Sequence, residues 1–94
     1  MNIREAIQLK PAEFTLSSGE KYILLRPSAL DLVEVLETVK TSPNKVPFIL
    51  IYKHLMDENG NKVFNSPEEV EQADGQVVNQ IYINIDKLYG EGRS

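Results

Sequence analysis

Apolar and polar residues alternate in two short runs near the start of the chain. In "AEFTLSSGEKYILLR", residues 12–26, these runs flank a Ser-Ser-Gly-Glu turn, a pattern that predicts a β-hairpin. A loop of two or four residues would set Phe14 opposite Ile23, and a shift of one residue would exchange the two faces. This register predicts an inner apolar face of Ala12, Phe14, Leu16, Ile23 and Leu25, with Tyr22 and Leu24 as exceptions on the polar face.

The next segment, "RPSALDLVEVLETVK", has helical spacing and predicts a helix over residues 28–40. Ser28 can cap its first turn, and Asp31 places negative charge there. The spacing predicts that an apolar stripe packs inward while Glu34, Glu37 and Lys40 face outward. The stripe is Ala29, Leu32, Val33, Leu36 and Val39, and Leu30 and Val35 extend the apolar surface beyond it.

Three further helices follow from capping residues and apolar spacing, over residues 47–57, 67–73 and 76–89. The first is apolar nearly all round, so it is either central or in contact with a partner. Residues 1–11 form an N-terminal segment and residues 91–94 a mobile tail. The sequence therefore predicts an α+β fold in one domain, with an N-terminal β-hairpin packed on a small bundle of three to four helices.

Composition narrows the classes of function. The chain has 94 residues, a formal net charge of −4 and no cysteine, which excludes disulfides and thiolate chemistry. An acidic chain without a cluster of lysine or arginine predicts no nucleic-acid partner. No apolar run is long enough to span a membrane, and the charged N-terminal residues do not resemble a signal peptide.

The stretch "MDENGNKVFNSPEE" resembles a calcium loop in its spacing. Oxygen-bearing side chains occupy the first, third, fifth, ninth and twelfth places, from Asp57 to Glu68. The sixth place needs glycine for a sharp turn, yet it holds Lys62. A helix-to-helix connector explains the same residues, since Ser66 caps the next helix. On this interpretation Phe64 is substantially buried, and Asp57 and Glu68 do not converge on an ion.

No residue set predicts catalysis. His54, the one histidine, is expected to be a partly exposed helix residue that could pair with Asp57. The serines lack a nucleophile elbow and the glycines form no phosphate-binding loop. We therefore expect no enzyme activity, no catalytic residue, no cofactor and no metal.

The remaining feature is an excess of apolar residues over what a monomer of this size usually buries. This excess favours a protein-binding module. The predicted binding residues are Phe48, Ile49, Tyr52, Tyr82 and Ile83.

Three segments together resemble a known family. "LKPAEFTLSSGEKYILLRPSALDLVEVLE", the connector "DENGNKVFNSPEEV" and the terminal "IDKLYGEG" are similar to the tail assembly chaperones of long-tailed bacteriophages and prophages, from about Leu9 to Gly92. The resemblance implies a non-enzymatic protein of the host bacterial cytoplasm that is absent from the mature virion. It also implies two partners, the tape measure protein and the tail tube protein, and it leaves self-association open.

Two alternatives stay open at this stage. One is a small acidic regulator, such as an inhibitor or antitoxin-like protein, which would use Glu34, Glu37 and residues 68–71 against a basic surface. The other is a single-loop calcium-binding module, which would depend on Asp57 and Glu68.

Overall fold

The computed structural model describes residues 11–91, and it has a small antiparallel sheet followed by helices. The sheet has three strands in the order β1-β2-β3. The predicted N-terminal segment and mobile tail lie, apart from Pro11 and Glu91, outside the described residues. The elements are β1 (Ala12–Thr15), β2 (Lys21–Leu24), α1 (Ala29–Thr41), a 3₁₀ turn (Pro43–Lys45), α2 (Val46–His54), β3 (Leu55–Met56), α3 (Pro67–Glu71) and α4 (Gly75–Glu91).

The core lies where the sheet, α2, α3 and α4 meet. Ile51 of α2, Val70 of α3 and Ile85 of α4 are all 0% exposed. Leu55 of β3 is 2% exposed beside them. These side chains share one apolar cluster with Phe14 and Leu24 of the hairpin, so the predicted α+β fold with a hairpin on helices is confirmed.

The hairpin forms, but its register differs by one residue from the predicted one. Phe14 pairs with Tyr22 rather than with Ile23. The amide of Leu16 donates to the carbonyl of Glu20 at 2.9 Å, which closes a loop of three residues, 17–19. Gly19 in that loop has φ +97°, as expected for a turn followed by a left-handed residue.

The odd loop length exchanges the two faces of the second strand. Leu24 is buried and Tyr22 partly buried against the core, although both were predicted on the polar face. Leu25, predicted to face inward, is 38% exposed. The predicted inner face was therefore wrong for β2 and right for Phe14 of β1.

The apolar helix predicted over residues 47–57 ends early. α2 stops at His54, and Leu55 and Met56 form β3, which pairs with Leu24 and Ile23 of β2. This pairing gives the ladder a third strand, a long-range contact that local helical spacing does not encode. No residue of α2 is exposed, so of the two alternatives for this helix the central position is the one observed. At the other end of the chain, Gly90 does not end α4, which continues to Glu91.

Candidate protein-binding surface

The largest departure from the predicted packing is in α1. The stripe expected to face inward is mostly on the surface, and Val35, outside that stripe, is the buried residue of this helix. Leu32 is partly buried against the core. The helix is thus turned about its own axis relative to the prediction, because the core takes up Val35 rather than the larger stripe.

Four aliphatic side chains form the exposed row on α1, which we call the α1 face. Leu30 is 64% exposed, Val33 59%, Leu36 60% and Val39 51%. They follow one another at intervals of three residues, so they form a ridge that winds about half-way round the helix between Leu30 and Val39. The other exposed large apolar residues described are Leu25, Val77 and Ile83. The α1 face therefore holds most of the exposed large apolar side chains in the described chain.

The start of α1 is fixed by a reciprocal cap. Ser28 Oγ accepts a hydrogen bond from the amide of Asp31 at 3.1 Å, and the Asp31 carboxylate accepts one from the amide of Ser28 at 2.9 Å. This arrangement satisfies two amides that a helix start otherwise leaves without partners. The cap predicted from Ser28 is confirmed, and it sets where the α1 face begins.

A lysine of α2 holds α1 against the rest of the fold. Lys53 Nζ lies 3.1 Å from Asp31 Oδ1 and 2.6 Å from Glu34 Oε2. Partial burial acts to raise the pKa of Asp31, but the Ser28 amide and the Lys53 ammonium outweigh it and lower that pKa. Asp31 is therefore an ionised anchor at neutral pH, and α1 is oriented by charge as well as by Val35.

The charge along α1 is mainly negative. The helix carries Asp31, Glu34 and Glu37 against the single basic residue Lys40. Glu34 and Glu37 are exposed, and they lie four residues after Leu30 and Val33, which makes them neighbours of these residues on the helix surface. Lys40 lies four residues after Leu36 in the same way. The exposed apolar row therefore has acidic groups beside it.

The residues predicted to bind a partner have mixed surroundings. Phe48, Tyr52 and Tyr82 are partly buried and pack against the core, so part of their apolar surface is already used. Tyr52 also has Lys62 Nζ 3.9 Å from its ring centroid. Ile49 is partly buried, whereas Ile83 is 46% exposed on α4. The five do not form one exposed row, and their binding role stays a prediction.

Sequence reasoning missed the α1 face as a surface because it assigned three of its four residues, Val33, Leu36 and Val39, to the core. The signal was present in the composition of the helix. Leu30, Val35 and the predicted stripe together place apolar residues around most of α1, and a small core can use only part of them.

His54 is buried, contrary to the prediction that it would be partly exposed. It is 2% exposed, with Nδ1 at 2.8 Å from the Leu25 carbonyl and Nε2 at 2.7 Å from the Tyr89 hydroxyl. Burial lowers the pKa of His54 and raises that of Tyr89, so the imidazole is neutral and the phenol keeps its proton at neutral pH. Tyr89 then donates to Nε2, and Nδ1–H donates to Leu25. This pair joins the hairpin, α2 and α4.

The connector after β3 is a turn. Asp57 Oδ1 accepts hydrogen bonds of 2.9 Å from the amides of both Asn59 and Asn61. Gly60 has φ +85°, and Ser66 Oγ accepts from the amide of Glu69 at 3.2 Å to cap α3. Phe64 is partly buried and packs against the core. Within residues 11–91, no group of three or more His, Asp and Glu side chains is arranged to hold a metal ion.

No helix in the part of the chain that the structure describes combines the length and apolar character needed to cross a bilayer.

Comparison with known proteins identifies the fold. No protein-family model matches the sequence, and no curated protein matches it. Among solved structures, the chain is similar to the tail assembly chaperone of bacteriophage HK97, with a TM-score of 0.65 and 20% sequence identity over 85% of each chain. At this identity the match establishes a shared fold, and the resemblance found in the sequence is confirmed at that level.

Proposed function

We propose that this protein is a tail assembly chaperone of a long-tailed bacteriophage or prophage. The observation that carries the proposal is the common fold with the HK97 tail assembly chaperone over 85% of both chains. The resemblance of the sequence to this family is a second support. In this role the protein is not an enzyme, acts in the host bacterial cytoplasm and is absent from the mature virion.

The proposed partners are the tape measure protein, which the chaperone covers and keeps soluble, and the tail tube protein, which it helps to recruit. The physical support is the α1 face together with the net charge of −4. Exposed aliphatic side chains can cover apolar surface on a partner, while excess negative charge keeps the complex in solution.

The proposal is tested by co-expression in bacteria with the tape measure protein of the same phage. We expect the tape measure protein to move from the insoluble to the soluble fraction and to co-purify with the chaperone. The tape measure protein expressed with an unrelated acidic domain of similar size is the control. A tape measure protein that stays insoluble, or is equally soluble with the control, would contradict the proposal.

The acidic-regulator alternative has weaker support, because two of its carboxylates are already paired within the chain. Glu34 lies 2.6 Å from Lys53 Nζ, and Glu71 lies 2.9 Å from Lys45 Nζ. High salt distinguishes the two functions, because the Debye length falls to about 3 Å at 1 M salt and exposed charges then interact only weakly. An apolar contact survives such a wash, whereas a complex held by surface charge dissociates.

A further inference from the structure

The loop after β3 contains an asparagine followed directly by a glycine, Asn59 and Gly60. The backbone nitrogen of the residue after an asparagine can attack the side-chain amide carbon, which makes asparagine a chemically labile residue. Glycine favours this attack, because it has no Cβ beside the nitrogen and its backbone rotates freely. No other asparagine of the chain precedes glycine. The chemistry of the sequence therefore points to Asn59.

The surroundings of Asn59 leave its side chain open to the reaction. Asn59 and Gly60 are both exposed, so water reaches them. A Cβ added at Gly60 would meet nothing within 4 Å, so no neighbouring group crowds this side of the loop. Within the described residues, no hydrogen bond holds the side-chain amide of Asn59.

The folded turn restrains the attacking nitrogen. The Gly60 amide donates to the Asp57 carbonyl at 3.0 Å, and Asp57 Oδ1 accepts from the amides of Asn59 and Asn61 at 2.9 Å. The Gly60 nitrogen must lose its proton and turn towards the Asn59 side chain before it can attack, and these hydrogen bonds oppose both changes. The negative charge of Asp57 also disfavours an anionic nitrogen nearby.

We infer that Asn59 is a deamidation site whose rate is set by the turn that Asp57 holds. The Gly60 nitrogen gives its proton to solvent and forms a bond to Cγ of Asn59. The bond between Cγ and Nδ2 breaks, and Nδ2 takes up a proton and leaves as ammonia. One water molecule opens the resulting cyclic imide at either carbonyl, which leaves aspartate or isoaspartate. No atom is oxidised or reduced.

The isoaspartate product changes the loop most, because it adds one methylene group to the main chain. The loop of residues 58–60 is closed by a hydrogen bond of 2.8 Å from the Asp57 amide to the Asn61 carbonyl, and Met56 pairs with Lys62 beyond it. A longer main chain does not fit this closure. Lys62 lies 3.9 Å from the ring centroid of Tyr52, so the change loosens a contact between the loop and α2.

The direct test follows the reaction by peptide mass spectrometry. The isolated protein is incubated at 37 °C and pH 8, once folded and once unfolded in guanidinium chloride. We expect Asn59 to deamidate before any other asparagine, and at least about tenfold more slowly in the folded protein. Prior reaction at another asparagine, or equal rates in the two conditions, would overturn the inference. Since only the isolated protein is used, the result is independent of the proposed function.

Two matched variants test the role of Asp57. Asp57→Ala removes the carboxylate that holds the turn, and Glu58→Ala removes the same charge from the adjacent exposed residue. We expect the first variant to deamidate several-fold faster than the wild type when folded, and the second to react at nearly the wild-type rate. Circular dichroism checks that both variants fold. Equal acceleration in the two would show that charge alone sets the rate, which would contradict the role of the turn.

A comparison of the aged protein with Asn59→Asp separates the two products. The variant gains the charge but keeps the normal main chain. In NMR spectra of isotopically labelled protein, the isoaspartate form should shift the amide signals of Met56 and Lys62 more than Asn59→Asp does. Equal shifts would show that the closure of the loop tolerates the longer chain. Asn59→Gln should stop the reaction at this site, and continued release of ammonia from the loop would overturn the assignment.

Discussion

At the scale of single residues, one histidine joins three parts of the fold. His54 closes α2, and its two ring nitrogens contact the Leu25 carbonyl and the Tyr89 hydroxyl. The rings of His54 and Tyr89 meet edge to face with centroids 5.4 Å apart. Both nitrogens are satisfied only when the imidazole is neutral, because protonated Nε2 could no longer accept the Tyr89 proton.

This geometry predicts a pH dependence of stability. Burial lowers the pKa of His54 in the folded state below 6.5, and Lys53 acts in the same direction while Asp31 opposes it. The unfolded chain therefore binds a proton first as pH falls below about 6.5, and the free energy of unfolding decreases there. Urea titrations at pH 7.5 and 5.5 should show a larger loss for the wild type than for His54→Gln. Equal losses would show that carboxylates alone carry the effect.

Removal of the tyrosine hydroxyl tests the same pair at neutral pH. Tyr89→Phe leaves Nε2 of His54 buried without its donor and should lower the free energy of unfolding by about 1 to 3 kcal/mol. Tyr52→Phe, at a partly buried tyrosine of α2, is the control and should have a smaller effect. The two urea midpoints check this, and a larger loss in the control would contradict it.

At the scale of elements, loop length decides the hairpin. The alternation of residues predicted two strands correctly, but the register depended on whether the loop contained an odd or an even number of residues. Gly19, at φ +97°, allows the three-residue loop, and that loop places Leu24 rather than Ile23 in the core. The local pattern could not choose between the registers, since the second strand has apolar residues on both faces, Tyr22 and Leu24 on one and Ile23 and Leu25 on the other.

The loop conformation gives a prediction for this element. Gly19→Ala should lower the free energy of unfolding by about 1 kcal/mol, because alanine is strained at positive φ. The added methyl group itself would meet nothing within 4 Å, so the backbone is the cause. Gly75→Ala is the matched control, since it too has open space and no positive φ, and it should be neutral or slightly stabilising. Similar losses in both variants would contradict a conformational origin.

At the scale of the whole molecule, α1 and α4 use their apolar residues in opposite ways. α4 buries Val78, Ile81, Ile85 and Leu88 in the core, whereas the α1 face leaves four aliphatic side chains in solvent. A protein that needed α1 only for stability would gain by turning that face inward. Its exposure supports the proposal that the protein binds a partner.

The contrast predicts that truncating a side chain in α4 and truncating one in α1 have very different effects on the free energy of unfolding. Ile85→Ala empties a fully buried site and should lower the free energy of unfolding by about 3 kcal/mol. Leu36→Ala removes a side chain that is 60% exposed and should change it by less than about 0.5 kcal/mol. Chemical denaturation of the isolated protein measures both. A loss near 3 kcal/mol for Leu36→Ala would show that the α1 face is packed in solution.

The sequence by itself determined the features that depend on near neighbours. The Ser28 and Ser66 caps, the turn after Asp57 and the apolar spacing of α4 all use residues within a few positions of one another. It also indicated the fold, since the overall order of a hairpin followed by helices follows from those local signals.

Only the tertiary structure decided which apolar residues are used for stability and which are exposed. The short strand Leu55–Met56, the burial of His54 and the orientation of α1 each depend on contacts between residues far apart in the chain. Helical spacing shows that α1 has apolar sides, but the limited size of the core determines which side packs. In this chain Val35 occupies the core, and the row from Leu30 to Val39 stays exposed to solvent.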